Sequence, residues 1–284
     1  MQKQKRVMAI HDISCVGRCS LTVALPIISA ASIDCGVLPT AVLSTHTGGF
    51  TDFTYRDLTQ DIEPISQHWQ SLGLGFDAMY SGFLGSFEQI DLVAQLFQTY
   101  KTPDNIVLVD PVMADEGKLY AIYSPEMAKG MAGLCAHADI IIPNITEACF
   151  MVDETYKVGP YDKAYIENLL RKLAELGPRQ VVLTGVYFDN DNLGASIYDA
   201  AQDKIDYVFA TRIEGYVHGT GDVFGSALLS ALLNDFTLTD AAQIACDYVC
   251  ESIRITIQLG QERRYGVAFE KALPMFIRKL GFTK

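Results

Sequence analysis

At 284 residues and 31.3 kDa, with 49% hydrophobic and 20% charged residues and no low-complexity run or internal repeat, the chain can bury one large α/β core. A single domain over residues 1–284 is therefore expected. The net charge of -12 and pI of about 4.8 repel phosphodiester backbones and anionic lipid, so neither a nucleic acid nor a membrane is expected as partner. The opening Met1–Ile10 stretch holds too short an apolar run for a signal peptide, and the seven cysteines read as reduced thiols of a cytoplasmic protein.

Apolar runs of strand length alternate with segments of helical spacing, the pattern of βαβ units. The first strand is expected over Arg6–Ile10, then a loop, His11–Gly17, and a helix over Arg18–Ala31. Strands follow at Gly36–Ser44, Ala78–Ser81, Ile106–Asp110, Asp139–Pro143 and Gln180–Thr184. Between them, Glu88–Tyr100 and Ile166–Leu176 carry apolar stripes of helical period, with Leu92, Leu96, Leu169 and Leu173 facing a core. After Thr184 the rhythm changes, because Gly194–Ala200 and Lys204–Ala210 flank a polar turn and read as an antiparallel hairpin. From Gly219 onward the chain is helical in pattern. The fold class is a three-layer α/β architecture, with a mostly parallel central sheet and helices on both faces.

In such sheets ligands bind beyond the carboxyl ends of the strands, where the suspicious residues lie. The sharpest local signal is Gly219-Thr220-Gly221-Asp222, followed at once by the apolar, helix-length Val223–Leu233. Two glycines allow a tight turn that points successive N–H groups at one spot, and the helix start adds about half a positive charge. Asp110-Pro111 ends an apolar strand, and Pro143-Asn144 with Glu147 ends another. Read by themselves, Asn144 and Glu147 are a helix start with its cap. Gly73–Ala78 imitates a dinucleotide fingerprint but precedes a strand instead of following one. Cys15 and Cys19 have no second Cys/His pair at zinc-finger spacing and read as buried small side chains.

Taken in order, several segments resemble the pyridoxal kinase family of the ribokinase superfamily. They are Ala9-Ile10-His11-Asp12 with Val16-Gly17, Ser44-Thr45-His46-Thr47-Gly48, Ser81–Gly85, Asp110-Pro111-Val112-Met113, Pro143-Asn144 with Glu147, Val182-Leu183-Thr184, and Gly219–Asp222. The resemblance covers nearly the whole chain and implies the ribokinase-like fold. It also implies ATP-dependent phosphorylation of the hydroxymethyl group of a B6 vitamer by a homodimer that uses Mg²⁺ and can take a monovalent cation, K⁺ or Na⁺. Gly219, Thr220 and Gly221 would then form the anion hole, with Asp222 as catalytic base. Asp110, Asn144, Glu147, Thr184 and Tyr123 would serve the nucleotide, the first and third through the metal, with Met113–Tyr123 as a lid.

Asp12, Ser44, His46, Thr47 and Phe83 fall to the vitamer. Many relatives carry Ser at the position of Asp12 and Tyr at that of Phe83, so the vitamer preferred stays open. A carboxylate at residue 12 would favour a protonated pyridine nitrogen or the amine of pyridoxamine. The alternatives are a hydroxymethylpyrimidine kinase on the same fold and a non-catalytic ligand sensor. The intact Gly-Thr-Gly-Asp set speaks against the sensor, which needs no base.

Overall fold

The computed structural model describes residues 4–215 and 217–282. The fold is α/β, a mostly parallel β-sheet with helices on both faces, as the spacing of apolar runs predicts. Contacts group the chain into two compact units, residues 1–77 with 212–284, and residues 78–211.

The first unit holds β1 (Arg6–Ser14), α1 (Leu21–Ala30), β2 (Asp34–Leu43), β3 (Tyr55–Asp57) and α2 (Thr59–Ser71). β1 runs parallel to β2, and β3 pairs antiparallel to β2. Val7 to Ile10 are fully buried, as a strand covered on both faces must be. The expected loop at His11 is instead strand. Past a register irregularity between His11 and Ile13, Ile13 pairs with Val42 and Ser14 with Leu43, so pairing carries β1 four residues beyond Ile10. The helix expected from Arg18 starts only at Leu21, because Ser20 adopts φ 53° and ψ -128°, which no helix accommodates. β3 and α2 escape the sequence reading. Only Thr59, Ile62 and Ser66 of α2 are buried, too thin a stripe to show as helical periodicity.

The second unit holds β4 (Ala78–Ser81), α3 (Phe87–Tyr100), β5 (Ile106–Val109), the short strands β6 (Ala114–Asp115) and β7 (Lys118–Leu119), α4 (Pro125–Cys135), β8 (Ile140–Ile141) and α5 (Ile145–Met151). α6 (Lys163–Ala174), β9 (Gln180–Val186), β10 (Asn192–Asp199) and β11 (Lys204–Thr211) complete it. β4, β5, β8 and β9 are parallel neighbours in that order, and β10 and β11 extend them antiparallel, the expected hairpin. α4 is a further element the sequence reading omits. Its start is nonetheless written in Ser124-Pro125-Glu126, where the Ser124 hydroxyl accepts the Met127 N–H and Pro125 opens the helix.

The first unit ends in α7 (Thr220–Leu233), α8 (Leu238–Gln258), a single 3₁₀ turn at Arg263–Tyr265 and α9 (Phe269–Lys279). α1 packs on β1 and α7, α7 on α8, and α8 on α9, so α7 is buried nearly all round. That burial explains its continuous apolar run and the absence of a polar face. No helix among the described residues is long and apolar enough to cross a membrane.

Candidate active site

In the first unit, Asp222 sits in the opening turn of α7 behind Gly219, the N-cap residue at φ 78°. A side chain on Gly219 is barred, since a Cβ there would lie 2.1 Å from the Arg18 carbonyl oxygen. That carbonyl is fixed in turn, because the Arg18 N–H donates to the Tyr265 carbonyl at 2.9 Å and the Arg18 guanidinium is paired to Glu270 at 2.7 Å. The start of α7 is thus wedged against the segment between β1 and α1.

The Asp222 carboxylate is buried, accepts the backbone N–H of Ser20 and takes a hydrogen bond from the Cys19 thiol. Burial is the largest influence on it and raises its pKa to about 6. The Ser20 N–H pulls the other way, the Asp12 charge adds to the rise, and the Cys19 thiol opposes it. A helix start alone would depress a carboxylate's pKa. Desolvation outweighs the helix here, yet a group with a pKa near 6 is still mostly ionised at neutral pH. Burial, then the charges of Asp222 and Asp12, push the Cys19 thiol well up, which keeps its proton in place for donation.

Asp12 lies on β1 with Ser14 two residues on, and the Ser14 hydroxyl donates to it at 3.0 Å. The Ser20 hydroxyl, which donates to the Cys19 sulfur at 3.9 Å, also bears on Asp12. Burial raises the Asp12 pKa, while both hydroxyls and a backbone N–H draw it back. His46 itself is buried; its Nδ1 accepts the Gly48 N–H at 3.1 Å and its Nε2 lies 2.7 Å from the Arg264 carbonyl. Those partners put the proton on Nε2 and describe a neutral ring, in line with the downward push that burial gives its pKa. Ser44 closes the loop at its base, since its hydroxyl accepts the Thr54 N–H at 2.9 Å and its own N–H donates to the Thr54 carbonyl at 3.1 Å. Thr47 is exposed on that loop. The His218 ring lies 5.0 Å from that of His46, so Asp12, His46, His218 and Asp222 belong to one neighbourhood.

In the second unit, Asp110 follows β5 and is buried, its N–H donating to the Ser81 carbonyl at 2.9 Å. Asn144 caps α5: its side chain accepts the Glu147 N–H at 2.9 Å, while Glu147 accepts the Asn144 N–H at 2.8 Å, a reciprocal capping box. Glu147 also accepts the Met113 N–H at 3.2 Å, Asn144 donates to the Ala114 carbonyl at 2.9 Å, and the Gly117 N–H donates to the Thr146 hydroxyl at 3.0 Å. The start of α5 therefore grips the β6–β7 hairpin. Thr184 bridges to Asn144, and its hydroxyl donates to the Pro143 carbonyl at 3.3 Å. Tyr123 is buried, with its hydroxyl donating to the Leu84 carbonyl and its ring edge-on to Phe83 at 6.0 Å.

The site residues the sequence reading does not assign are Ser14, Ser20 and Cys19, the last read there only as a buried small side chain; Cys19 is part-buried, and Cys15, read the same way, is exposed. Ser14 was accessible through its spacing, since residues two apart on a strand share a face. Ser20 and Cys19 carry no such local signal.

Glu147→Ala is expected to leave the buried Met113 N–H and the part-buried Asn144 N–H without their acceptor, at about 1–3 kcal/mol for the buried group and less for the other. Thermal unfolding should show the lower stability, and amide exchange should quicken at residues 113–119. Glu147→Gln, which keeps one acceptor oxygen, should recover part of both. Unchanged exchange in the hairpin would mean that Glu147 does not anchor it.

Comparison with known proteins sharpens the picture. The family model for phosphomethylpyrimidine kinase matches residues 32–266. A Bacteroides thetaiotaomicron protein, provisionally described as a phosphomethylpyrimidine kinase and solved with pyridoxal, is 34% identical, with a TM-score of 0.91 and 96% of each chain covered. The pyridoxal kinase of Lactobacillus plantarum is 28% identical with a TM-score of 0.89, covering 97% of this chain and 98% of that one. The hydroxymethylpyrimidine/phosphomethylpyrimidine kinase of Bacillus subtilis is 26% identical over 227 residues, 78% of this chain and 79% of its own length. Fold and relatives together define a kinase of the ribokinase-like class. Within that class the chain belongs to the phosphomethylpyrimidine kinase family.

Proposed function

We propose that this kinase transfers the γ-phosphoryl group of ATP to the hydroxymethyl group of a B6 vitamer, with Asp222 as general base. The observation that carries the reaction type is the buried Asp222 carboxylate in the first turn of α7, behind a glycine whose place any side chain would crowd against the Arg18 carbonyl. Phosphoryl transfer needs positioning, charge neutralisation and a group to take the hydroxyl proton. The free N–H groups at the start of α7 suit the migrating phosphoryl group, and Asp222 suits the proton. The vitamer reading draws support from the Bacteroides relative solved with pyridoxal.

Mg²⁺ fits the second unit. Asp110 offers a buried oxygen ligand, and no group of three or more His, Cys, Asp or Glu among the described residues forms a cage. That is the donor set of an ion carried on phosphates, with one or two carboxylates and several waters. Asp110 would hold the ion, and Glu147, whose oxygens already accept backbone N–H groups, would act on it through water. Asn144 and Thr184 would stand beside the triphosphate. Asp12, Ser44, His46, Thr47 and Phe83 are assigned to the vitamer. The seven free thiols suit a reducing cytoplasm, and the homodimer and the monovalent cation remain part of this proposal.

The second reading, phosphorylation of hydroxymethylpyrimidine, is favoured by the family model and by the Bacillus relative. ADP release measured in parallel with pyridoxal, pyridoxine, pyridoxamine and hydroxymethylpyrimidine separates the two. A B6 vitamer should exceed hydroxymethylpyrimidine in kcat/KM by at least about tenfold, the worth of one well-made hydrogen bond. The reverse order would establish the pyrimidine reading. ATP binding without turnover of any of the four would indicate a sensor.

A further inference from the structure

The loop after β2 and the turn that opens α7 meet ring against backbone. A Cβ on Gly48 would come within 2.5 Å of His218 Cε1 and 2.7 Å of its Nδ1, so the imidazole lies directly over the Gly48 backbone. Gly48 is not among the residues at positive φ. No backbone conformation therefore calls for glycine there, and it is the ring that excludes a side chain. The same loop is closed from its other side, since a Cβ on Gly17, after β1, would lie 2.6 Å from His46 Cδ2.

His218 is fixed as well as close. Its carbonyl accepts the Val267 N–H at 3.2 Å, its ring lies 5.0 Å from that of His46 at an interplanar angle of 51°, and the chain passes from it straight into Gly219. His46 is held in turn by the Gly48 N–H at 3.1 Å and the Arg264 carbonyl at 2.7 Å. Phe50 completes the packing, edge-on to His46 at 5.0 Å and to Tyr265 at 5.2 Å. The segment carrying Thr47 and the start of α7 thus form one packed body, and the direct link between them is the His218 ring.

We infer that His218 is a positioning residue for phosphoryl transfer: its ring, seated over Gly48, sets the distance between the loop of residues 44–47 and the N–H groups at the start of α7. The inference rests on the proposed reading of that loop as vitamer-binding and of Gly219–Asp222 as anion hole and base. In the transfer, the substrate oxygen bonds to the γ-phosphorus as the bond from that phosphorus to the ADP oxygen breaks, and the hydroxyl proton passes to Asp222. His218 exchanges no proton in this scheme. It acts through Gly48 and Gly219, by keeping the alcohol and the phosphoryl group at reacting distance, where an error of about 1 Å costs about 10²-fold in rate.

The test is steady-state turnover of His218→Ala, Gly48→Ala and the double variant, with thermal unfolding of each. His218→Ala empties the hollow over Gly48, and Gly48→Ala drives the ring out of it. Each should lower kcat by about 10–10²-fold with KM for both substrates little changed, the mark of an interaction that counts in the transition state. In the double variant the methyl group of residue 48 enters the space the ring has left. Its kcat should exceed the product of the two single effects by at least about tenfold, because residues in contact do not act additively. A purely structural role would lower Tm and leave kcat of the folded protein at the parent's value. A folded His218→Ala with parental kcat, or single effects that simply multiply in the double variant, overturns the inference while leaving the kinase reading intact. A parent that turns over neither a vitamer nor hydroxymethylpyrimidine overturns that reading and the inference with it. Should His218→Ala not fold, His218→Asn with and without Gly48→Ala makes the same comparison, and the same outcomes decide it.

Discussion

Asp222→Asn is expected to lower kcat by about 10²–10⁴, the usual worth of a general base. The amide preserves size and can still accept the Ser20 N–H, but it cannot take the proton of a primary alcohol. Nucleotide binding, followed by calorimetry, should change little, because the backbone around Gly219 is untouched. The same substitution should raise stability at neutral pH. Burial lifts the Asp222 pKa from its ordinary 3.8 to about 6, so the folded protein binds this proton more tightly than the unfolded chain does. The stability contributed by that proton is fully present below about pH 4 and is lost as pH rises through about 6. Asparagine never carries the charge, so its Tm should exceed the parent's at pH 7.5 and converge with it at pH 4. Loss of kcat together with a gain in Tm would show a site that trades stability for function. A variant with near-normal kcat removes Asp222 as base, and one with lower Tm at neutral pH makes the carboxylate a structural group.

Gly219→Ala is expected to cost both stability and rate. At φ 78° a side chain is strained by about 1–3 kcal/mol whatever the space around it. The space is also closed: the added carbon would lie 2.1 Å from the Arg18 carbonyl oxygen, and Arg18, whose own N–H is held by the Tyr265 carbonyl, lies two residues before Ser20. Relief therefore requires the start of α7 and the segment before α1 to part. That movement would pull Asp222 from the Ser20 N–H. A displacement of about 1 Å at a reacting group can lower rate by about 10²-fold, so kcat should fall by that order even where the protein folds. Steady-state turnover beside thermal unfolding separates the two effects. A variant with normal kcat and normal Tm would mean that the two segments are not wedged as described.

Much of this protein is legible in the chain itself. The run of parallel strands and helices shows in local apolar period, since a strand covered on both faces must be apolar throughout and a helix on a sheet must carry a stripe. The exceptions are instructive. α2 buries too few residues to leave a stripe, and the end of β1, His11-Asp12-Ile13-Ser14, reads as a loop because its polar residues give no strand signal although they are buried. Asp222 behind Gly219 is legible for a different reason: a positive φ at a helix start calls for glycine, and glycine is visible in a sequence.

What the sequence by itself determined is thus the order of elements, the α/β class and the one turn whose chemistry is contained in four consecutive residues. The tertiary structure alone decided which side chains meet. Glu147, read in the chain as part of a helix start and its cap, is seen to accept the Met113 N–H as well only once β5, β8 and α5 are set side by side. Asp12, Ser20 and Asp222 carry no shared spacing, because their meeting depends on the pairing of β1 with β2 and the packing of α1 on α7. Nor could composition foretell that Asp222 has a pKa near 6, since a helix start lowers it, burial raises it, and only the packed surroundings decide which prevails.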